Sequence, residues 1–287
     1  MKTKGLFIAL CLLAAVGARA EEVKGNGVFV TKEIAVAPFE SIRIGEGFKK
    51  DVGFKEFIDI LYNAFKNGTG NSVDGIKFSY SQAVGDAALR VTIDENLFPY
   101  LVITSSGGVL SINTDIGVKI KPGKLDIVAS SANLKEVKTL GAVNFGITTP
   151  LSVNNLSMTI GGGGNIVMPH PVRVNTYTVS ISGSGILNAG DLACSKMSGF
   201  ISGSGNFNVT GEADEVNFSI SGSGDVNALH FKTKKTEATV SGSGNINVYA
   251  TELLDAKIFG SGDIRYKGNP ASLQTNISGS GSIKRIE

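Results

Sequence analysis

Large apolar residues alternate with small polar residues along the second half of the chain, and short Gly-Ser-Gly runs interrupt the alternation. In one copy of this pattern, Phe207 and Val209 alternate with Asn206 and Asn208 directly after Gly205. Alternate residues of a β-strand face opposite sides, so the pattern predicts strands with one buried and one exposed side. A period of two favours strands over helices throughout this part of the chain.

The pattern recurs at a nearly constant spacing of 18 to 21 residues. Each copy begins with an apolar residue, at Ile160, Ile181, Ile201, Ile220, Val240, Ile258 and Ile277. Two further columns, apolar except at Thr236, keep the same register: Ile166, Leu187, Phe207, Val226, Ile246, Ile264 and Ile283, and Leu156, Tyr177, Met197, Val216, Thr236, Leu254 and Leu273. A flexible Gly-Ser linker has no reason to keep large apolar residues in register. The repeat therefore predicts a solenoid in which each copy is one coil.

The glycines of each Gly-Ser-Gly run fall on inward positions, where a missing side chain permits a sharp bend or a close backbone approach. We interpret each run as a corner between two faces of the solenoid. The predicted fold is all-β: a β-solenoid, and specifically a right-handed β-helix, with about 20 residues per coil. A more irregular, β-rich N-terminal portion is expected to cap the first coil.

The composition and residue pattern divide the chain into a signal peptide at 1–20, an N-terminal β-rich capping portion at 21–124 and β-helix repeats at 125–287. Within the capping portion, apolar residues at four-residue spacing predict a short helix from Lys55 to Lys66. Asp94 is expected to cap a turn of helix, and a hairpin is predicted around Gly107-Gly108.

Residues 1–20 have the features of a secretory signal peptide, with Lys2 and Lys4 before an apolar run and Ala18-Arg19-Ala20 as a cleavage site. Cys11 lies inside the apolar run and not behind a small-residue lipobox, so a lipoprotein signal is not predicted. We expect an exported protein without a transmembrane span, located in the periplasm, at the cell surface or outside the cell. Removal of the signal leaves Cys194 as the one cysteine, which excludes an internal disulfide.

The charge of the chain is nearly balanced, with 27 basic and 25 acidic residues and a formal net charge of +2. A protein that binds nucleic acid through bulk charge would be far more basic, so no nucleic-acid partner is predicted. The tail Lys284-Arg285-Ile286-Glu287 is charged. We expect it to protect the open end of the stack from pairing with another strand.

Three features together resemble a known family, the head GIN domain of putative auto-transporter adhesins from Bacteroidetes-type bacteria. They are the opening strand at 38–42, the segment 91–100 followed by 108–112, and the repeated Gly-Ser-Gly-Asn/Asp-Ile-Asn motif, which is clearest at 242–247. The resemblance covers nearly all of the mature chain, and residues 51–85 depart from it. It implies a β-solenoid at the cell envelope with a role in adhesion, and it implies no catalytic residue.

The outward positions after each glycine corner form two polar columns, which are the candidate binding residues. The first holds Asn206, Asp225, Asn245 and Asp263, and the second holds Asn208, Asn227, Asn247 and Arg265. One interpretation is structural, with stacked amides that keep the coils in register. The other is a flat polar strip for hydroxyl-rich ligands such as glycans. The predicted partner is then a glycan or another component of a host or envelope surface.

Two other functions stay open besides a binding or adhesion module. A structural scaffold of the envelope needs the same outward columns, because stacked amides hold register without any ligand. A polysaccharide-cleaving enzyme would need Asp225 and Asp263 as its acid and base, but both are expected to face solvent, where neither would hold a proton. We therefore predict no catalytic residue. In the first polar column, aspartate occurs in only two non-adjacent coils, which argues against a calcium site. The two histidines, His170 and His230, are far apart in the repeats. We therefore predict no metal and no cofactor.

Overall fold

The computed structural model describes residues 21–45, 76–115 and 117–287, and the predicted signal peptide and the predicted helix at 55–66 lie outside these ranges. The described chain is nearly all β, with one 3-10 helix at Glu95–Tyr100. Its strands are β1 (Glu21–Lys24), β2 (Phe29–Ile34), β3 (Ser41–Ile44), β4 (Lys77–Gln82), β5 (Ala88–Asp94), β6 (Leu101–Ser106), β7 (Val109–Thr114), β8 (Val118–Lys121), β9 (Leu125–Ser131), β10 (Glu136–Thr139), β11 (Asn144–Ile147), β12 (Leu151–Ile160), β13 (Asn165–Met168), β14 (Val172–Ile181), β15 (Ile186–Ile201), β16 (Asn206–Ile220), β17 (Asp225–Val240), β18 (Ile246–Ile258), β19 (Ile264–Lys267), β20 (Ser272–Ile277) and β21 (Ile283–Arg285).

From β10 onward the chain forms a parallel β-solenoid. Each residue pairs with the residue about one repeat later; Asn206 pairs with Asp225, and Val216 pairs with Thr236. The ladders continue in this way from β12 to β21 through every coil. The predicted all-β solenoid and its repeat length are therefore confirmed, and its right-handed sense stays a prediction.

The predicted inward columns form the core of the stack. The column that begins each copy is at most 2% exposed from Ile160 to Ile258, and Phe207 in the next column is fully buried. The last coil differs, because Leu273 is 47% exposed and Ile277 is 46% exposed. Our expectation that these two residues are buried is wrong, since the described chain places no further coil over them.

The glycine corners bring the backbones of successive coils close together. A Cβ on Gly203 would lie 2.2 Å from the carbonyl oxygen of Gly183, and a Cβ on Gly224 would lie 2.0 Å from that of Gly205. Neither Gly203 nor Gly224 has a positive φ. Glycine is therefore needed here for the close approach of one coil to the next, and not for an unusual backbone conformation.

The N-terminal strands enter the stack out of chain order. β3 lies between β7 and β10, and β4 lies between β9 and β11, all in parallel pairing. Antiparallel strands then cover this end, because β5 pairs with β9, β2 pairs with β5, and β6 pairs with β7. The division at residue 124 stays a prediction, and the strand ladder runs across it.

Asp94 fastens the N-terminal strands to one another. The predicted helical turn is present, but the Asp94 side chain makes no capping hydrogen bond to it. Its carboxylate instead accepts hydrogen bonds from the backbone N–H groups of Gly27 (2.8 Å) and Gly123 (2.8 Å). Burial alone would raise the pKa of Asp94, but these hydrogen bonds outweigh burial and hold the pKa below its ordinary value. Asp94 thus occupies the predicted helix-cap position, but its carboxylate bonds to two distant chain segments and not to the helix.

Candidate binding face

The structure brings the eight candidate residues together on one face of the stack. We call this face, made by segments 186–189, 206–209, 225–228, 245–248 and 263–266, the amide face. Strand register places the residues in two adjacent columns, as the repeat predicts: Asn206, Asp225, Asn245 and Asp263, and Asn208, Asn227, Asn247 and Arg265. All eight side chains are half-buried or exposed.

The first column links each coil to the next through backbone N–H groups. Asn206 Oδ1 accepts the N–H of Asp225 at 3.2 Å, and Asp225 Oδ1 accepts the N–H of Asn245 at 2.8 Å. The same contact recurs from Asn245 to Asp263 at 3.1 Å and from Asp263 to Ser282 at 2.9 Å. These side chains satisfy backbone donors where the chain leaves the glycine corner, so their oxygens are already engaged in holding the fold.

The second column is a continuous ladder of amide groups. Asn208 Nδ2 donates to Asn188 Oδ1 at 2.7 Å, and Asn227 Nδ2 donates to Asn208 Oδ1 at 2.8 Å. Asn247 continues the ladder by donating to Asn227 at 3.0 Å. A primary amide has two N–H donors and two acceptor lone pairs, and each contact uses only one of each. The ladder can therefore offer a donor and an acceptor to solvent in every coil, at a spacing of about 4.8 Å.

Charged residues continue the amide face toward the last coil. Arg265 pairs in register with Asn247 on one side and with Lys284 on the other. The Arg265 guanidinium lies 3.5 Å from the Asp263 carboxylate, in an exposed contact. Hydrogen bonds from the hydroxyl and the backbone of Ser282, aided by the nearby cations, hold the pKa of Asp263 below its ordinary value. Asp263 is thus ionised near neutral pH and is unsuited to donate a proton as a general acid.

Two exposed phenylalanines near the glycine corners are absent from the sequence-based site. Phe200 is 45% exposed and lies in register between Ser180 and Ser219. Phe259 is 50% exposed and follows Ile258 at a position that serine occupies in other copies, such as Ser241. A position-by-position comparison of the copies would have found both residues, because each replaces a small polar residue in an outward column.

Cys194 lies at a groove of about 480 Å³ on a different face of the solenoid. Charged residues rim the groove in ion pairs, with Arg173 to Asp191 at 3.0 Å and Lys234 to Asp214 at 2.6 Å. Burial, with a smaller contribution from the Asp214 charge, raises the pKa of the Cys194 thiol to about 12. A thiol with this pKa stays protonated at neutral pH and does not act as a nucleophile.

Among the described residues, no group of three or more His, Cys, Asp and Glu side chains is placed to hold a metal ion. In the same ranges, no helix has the length and apolar character needed to cross a membrane.

Comparisons with known proteins agree with this fold. A family model described as putative auto-transporter adhesin, head GIN domain, matches residues 73–270, and the chain belongs to this family. No curated protein gives a significant match.

Several solved structures cover 93% of this chain and 100% of their own. One, from Parabacteroides distasonis and described as a putative lipid binding protein, is 32% identical with a TM-score of 0.80. Another, from Parabacteroides merdae and described as a putative adhesin, is 28% identical with a TM-score of 0.77. A third, again from P. distasonis and described as a putative adhesin, is 28% identical with a TM-score of 0.76. Family and neighbours together suggest a binding or adhesion role and a surface or exported location, and neither the family nor these structures is described as an enzyme.

Proposed function

We propose that the protein is a non-catalytic, exported binding module whose amide face recognises an extended, hydroxyl-rich polymer such as a surface glycan. The family supports adhesion, and the signal-like residues 1–20 support export to the periplasm, the cell surface or the medium. The proposal concerns the chemistry of the ligand and the face that binds it.

The observation that carries the proposal is the amide ladder from Asn188 through Asn208 and Asn227 to Asn247. Its repeated donors and acceptors suit a ligand whose own hydroxyl groups recur along its length, because a hydroxyl both donates and accepts. A regular row of such groups along successive coils also suits a polymer better than a small molecule, which needs a concave site. Exposed Phe259, four residues before Asp263 in the chain, adds apolar surface that can pack against the C–H face of a sugar ring.

The two polar columns have different parts in this proposal. The first column holds the fold, since its oxygens accept backbone N–H groups of the next coil. The second column contacts the ligand, since the hydrogen bonds of its amides within the described part of the chain run from one amide to the next. The structural interpretation of the sequence pattern thus applies to the first column, and the ligand-binding interpretation applies to the second.

A glycan array with residues 21–287 tests the proposal. We expect the wild-type protein to bind polysaccharides or long oligosaccharides, and the double variant Asn227→Ser, Asn247→Ser to lose most of this binding. Asn217→Ser is the matched control, because Asn217 is an exposed amide that bonds to Glu237 outside the amide face. A wild-type protein that binds no glycan, or equal losses in the double variant and the control, would contradict the proposal.

Anionic phospholipid vesicles make a useful second arm, because one structural neighbour is described as lipid binding. If the protein binds vesicles, the double variant Asn227→Ser, Asn247→Ser binds them equally well, and the glycan array shows no binding, then the ligand is a lipid surface and not a glycan.

A further inference from the structure

The last coil exposes apolar residues that every earlier repeat buries. Leu273 is 47% exposed and Ile277 is 46% exposed, whereas Leu254 and Ile258, which pair with them in the preceding coil, are fully buried. Ile283 of the same coil is only partly buried. The end of the stack therefore presents the cross-section of the core to solvent.

The backbone of this coil is also unpaired along one edge. Among the described strands, β20 pairs only with β18, and β21 pairs only with β19. The charged tail does not cross the opening, because the Ile286 N–H donates to the Tyr266 carbonyl at 2.8 Å and so follows the preceding coil. The charges of the tail can therefore block pairing of another strand with β21, but not with β20. β20 reads Ser-Leu-Gln-Thr-Asn-Ile and carries neither a charge nor a proline, the usual means of blocking an edge strand.

The opposite end of the stack is built differently. There β5 and β2 lie antiparallel over β9, and β6 lies antiparallel over β7. Stacking the last coil of one molecule on the first coil of the next would displace these strands. Two molecules whose last coils meet need no such displacement, and they form a closed pair with two-fold symmetry.

We propose that the protein forms an end-to-end dimer in which the β20 strands of two copies pair antiparallel. The sequence of β20 is self-complementary in this arrangement. When Thr275 lies opposite Thr275 of the partner subunit, Leu273 lies opposite the partner's Ile277, and the outward Gln274 lies opposite the partner's Asn276. Apolar residues thus face apolar residues, and amides face amides.

A second copy fits this end better than a lipid surface does. Lys284 and Arg285 would attract anionic lipids, but hydrocarbon cannot hydrogen-bond the free N–H and C=O groups of β20. A paired strand satisfies them. The contact is limited to one coil, so we expect a weak, concentration-dependent dimer and not an obligate one.

Sedimentation analysis of residues 21–287 over a wide concentration range tests this proposal. We expect a monomer–dimer equilibrium, and Thr275→Lys should raise the dimer Kd by at least about tenfold, because it places two like charges at the two-fold axis. Thr275 is exposed in the single chain, so the substitution should leave the fold unchanged. Ser202→Lys, at an exposed corner position, is the matched control for added charge.

Oxidative cross-linking gives an independent measurement. Thr275→Cys should form a disulfide-linked dimer under mild oxidation, because residues directly opposite in an antiparallel pair lie within disulfide reach. Ser202→Cys should form no disulfide-linked dimer. A wild-type protein that is monomeric at all concentrations, a dimer unaffected by Thr275→Lys, or oligomers beyond the dimer would overturn the proposal. A monomer that binds anionic vesicles through this end would assign the end to a lipid surface instead.

Discussion

The repeats and most of the N-terminal strands belong to one 19-stranded sheet, which the two regions build by different means; β1 and β8 form a separate pair. In the repeats, each strand pairs in parallel with the strand one coil later, and the glycine corners let successive backbones approach closely. In the N-terminal region, antiparallel strands and the buried carboxylate of Asp94 close the stack. A repeat distributes its stability over many similar contacts, whereas the cap depends on a few long-range contacts that occur once.

The largest expected effect comes from the core that the two regions share. Phe207→Ala should lower the free energy of unfolding by about 3–5 kcal/mol, because it removes a fully buried ring that packs edge-on against Phe218. Phe78→Ala in β4 should cost a similar amount, since Phe78 is buried and stacks on Phe145. Urea denaturation measures both. A much smaller loss for Phe78→Ala would show that the N-terminal strands are not part of the same core.

Glycine substitutions sharpen the comparison further. Gly224→Ala in a repeat should destabilise the protein by about 3 kcal/mol or more, because its Cβ would overlap the Gly205 carbonyl oxygen. Gly27→Ala in the N-terminal region should cost only about 1 kcal/mol, because Gly27 has a φ of +77° but open space around it. Ser223→Ala, at an exposed corner position, is the control in the same denaturation experiment. Equal losses for the two glycines would contradict the close-approach explanation.

The cap should respond to pH through Asp94. Because the folded-state pKa of Asp94 is depressed, its contribution to stability is complete above the unfolded-state pKa of about 3.9 and is lost as the pH falls through the folded-state pKa. Asp94→Asn should therefore cost about 2 kcal/mol at neutral pH, since the charged acceptor of the backbone N–H groups is lost. The difference from wild type should shrink below about pH 4. A difference that is constant with pH would mean that the charge of Asp94 is unimportant.

The smallest effect is expected in the first polar column. Asn206→Ser should change the free energy of unfolding by well under about 1 kcal/mol, because a hydroxyl oxygen can still accept a hydrogen bond near the Asp225 N–H. Denaturation midpoints of the variant and wild type measure the difference. A loss as large as that of Phe207→Ala would mean that the buried and exposed faces are reversed.

The repeats were predictable because their information is periodic. Alternation indicates which side chains are buried, and the constant spacing alone predicts that Asn208, Asn227 and Asn247 share one column, as the strand register confirms. At the last coil the same periodicity predicts burial wrongly. Leu273 and Ile277 follow the buried pattern, but burial also requires a further coil that the pattern cannot supply.

The N-terminal region was less predictable because its contacts are unique and distant in sequence. No local signal shows that β3 and β4 lie between strands that come later in the chain. Asp94 was assigned to a helix cap, the common local role of aspartate before a helical turn, but it bonds to backbone 67 and 29 residues away. Phe259 is found only by comparing the copies position by position, because its own segment does not distinguish an exposed phenylalanine from a buried one.

If ligand binding is spread along the amide ladder, the affinity must depend on the length of the ligand. Oligosaccharides of increasing length, taken from the polysaccharide that the array selects, would be titrated calorimetrically against residues 21–287. We expect the affinity to rise with each added sugar until the ligand spans the ladder from Asn188 to Asn247, and then to level off. In Asn247→Ser the affinity should level off at a shorter ligand length. An affinity that is independent of length, or that Asn247→Ser leaves unchanged at every length, would contradict this expectation.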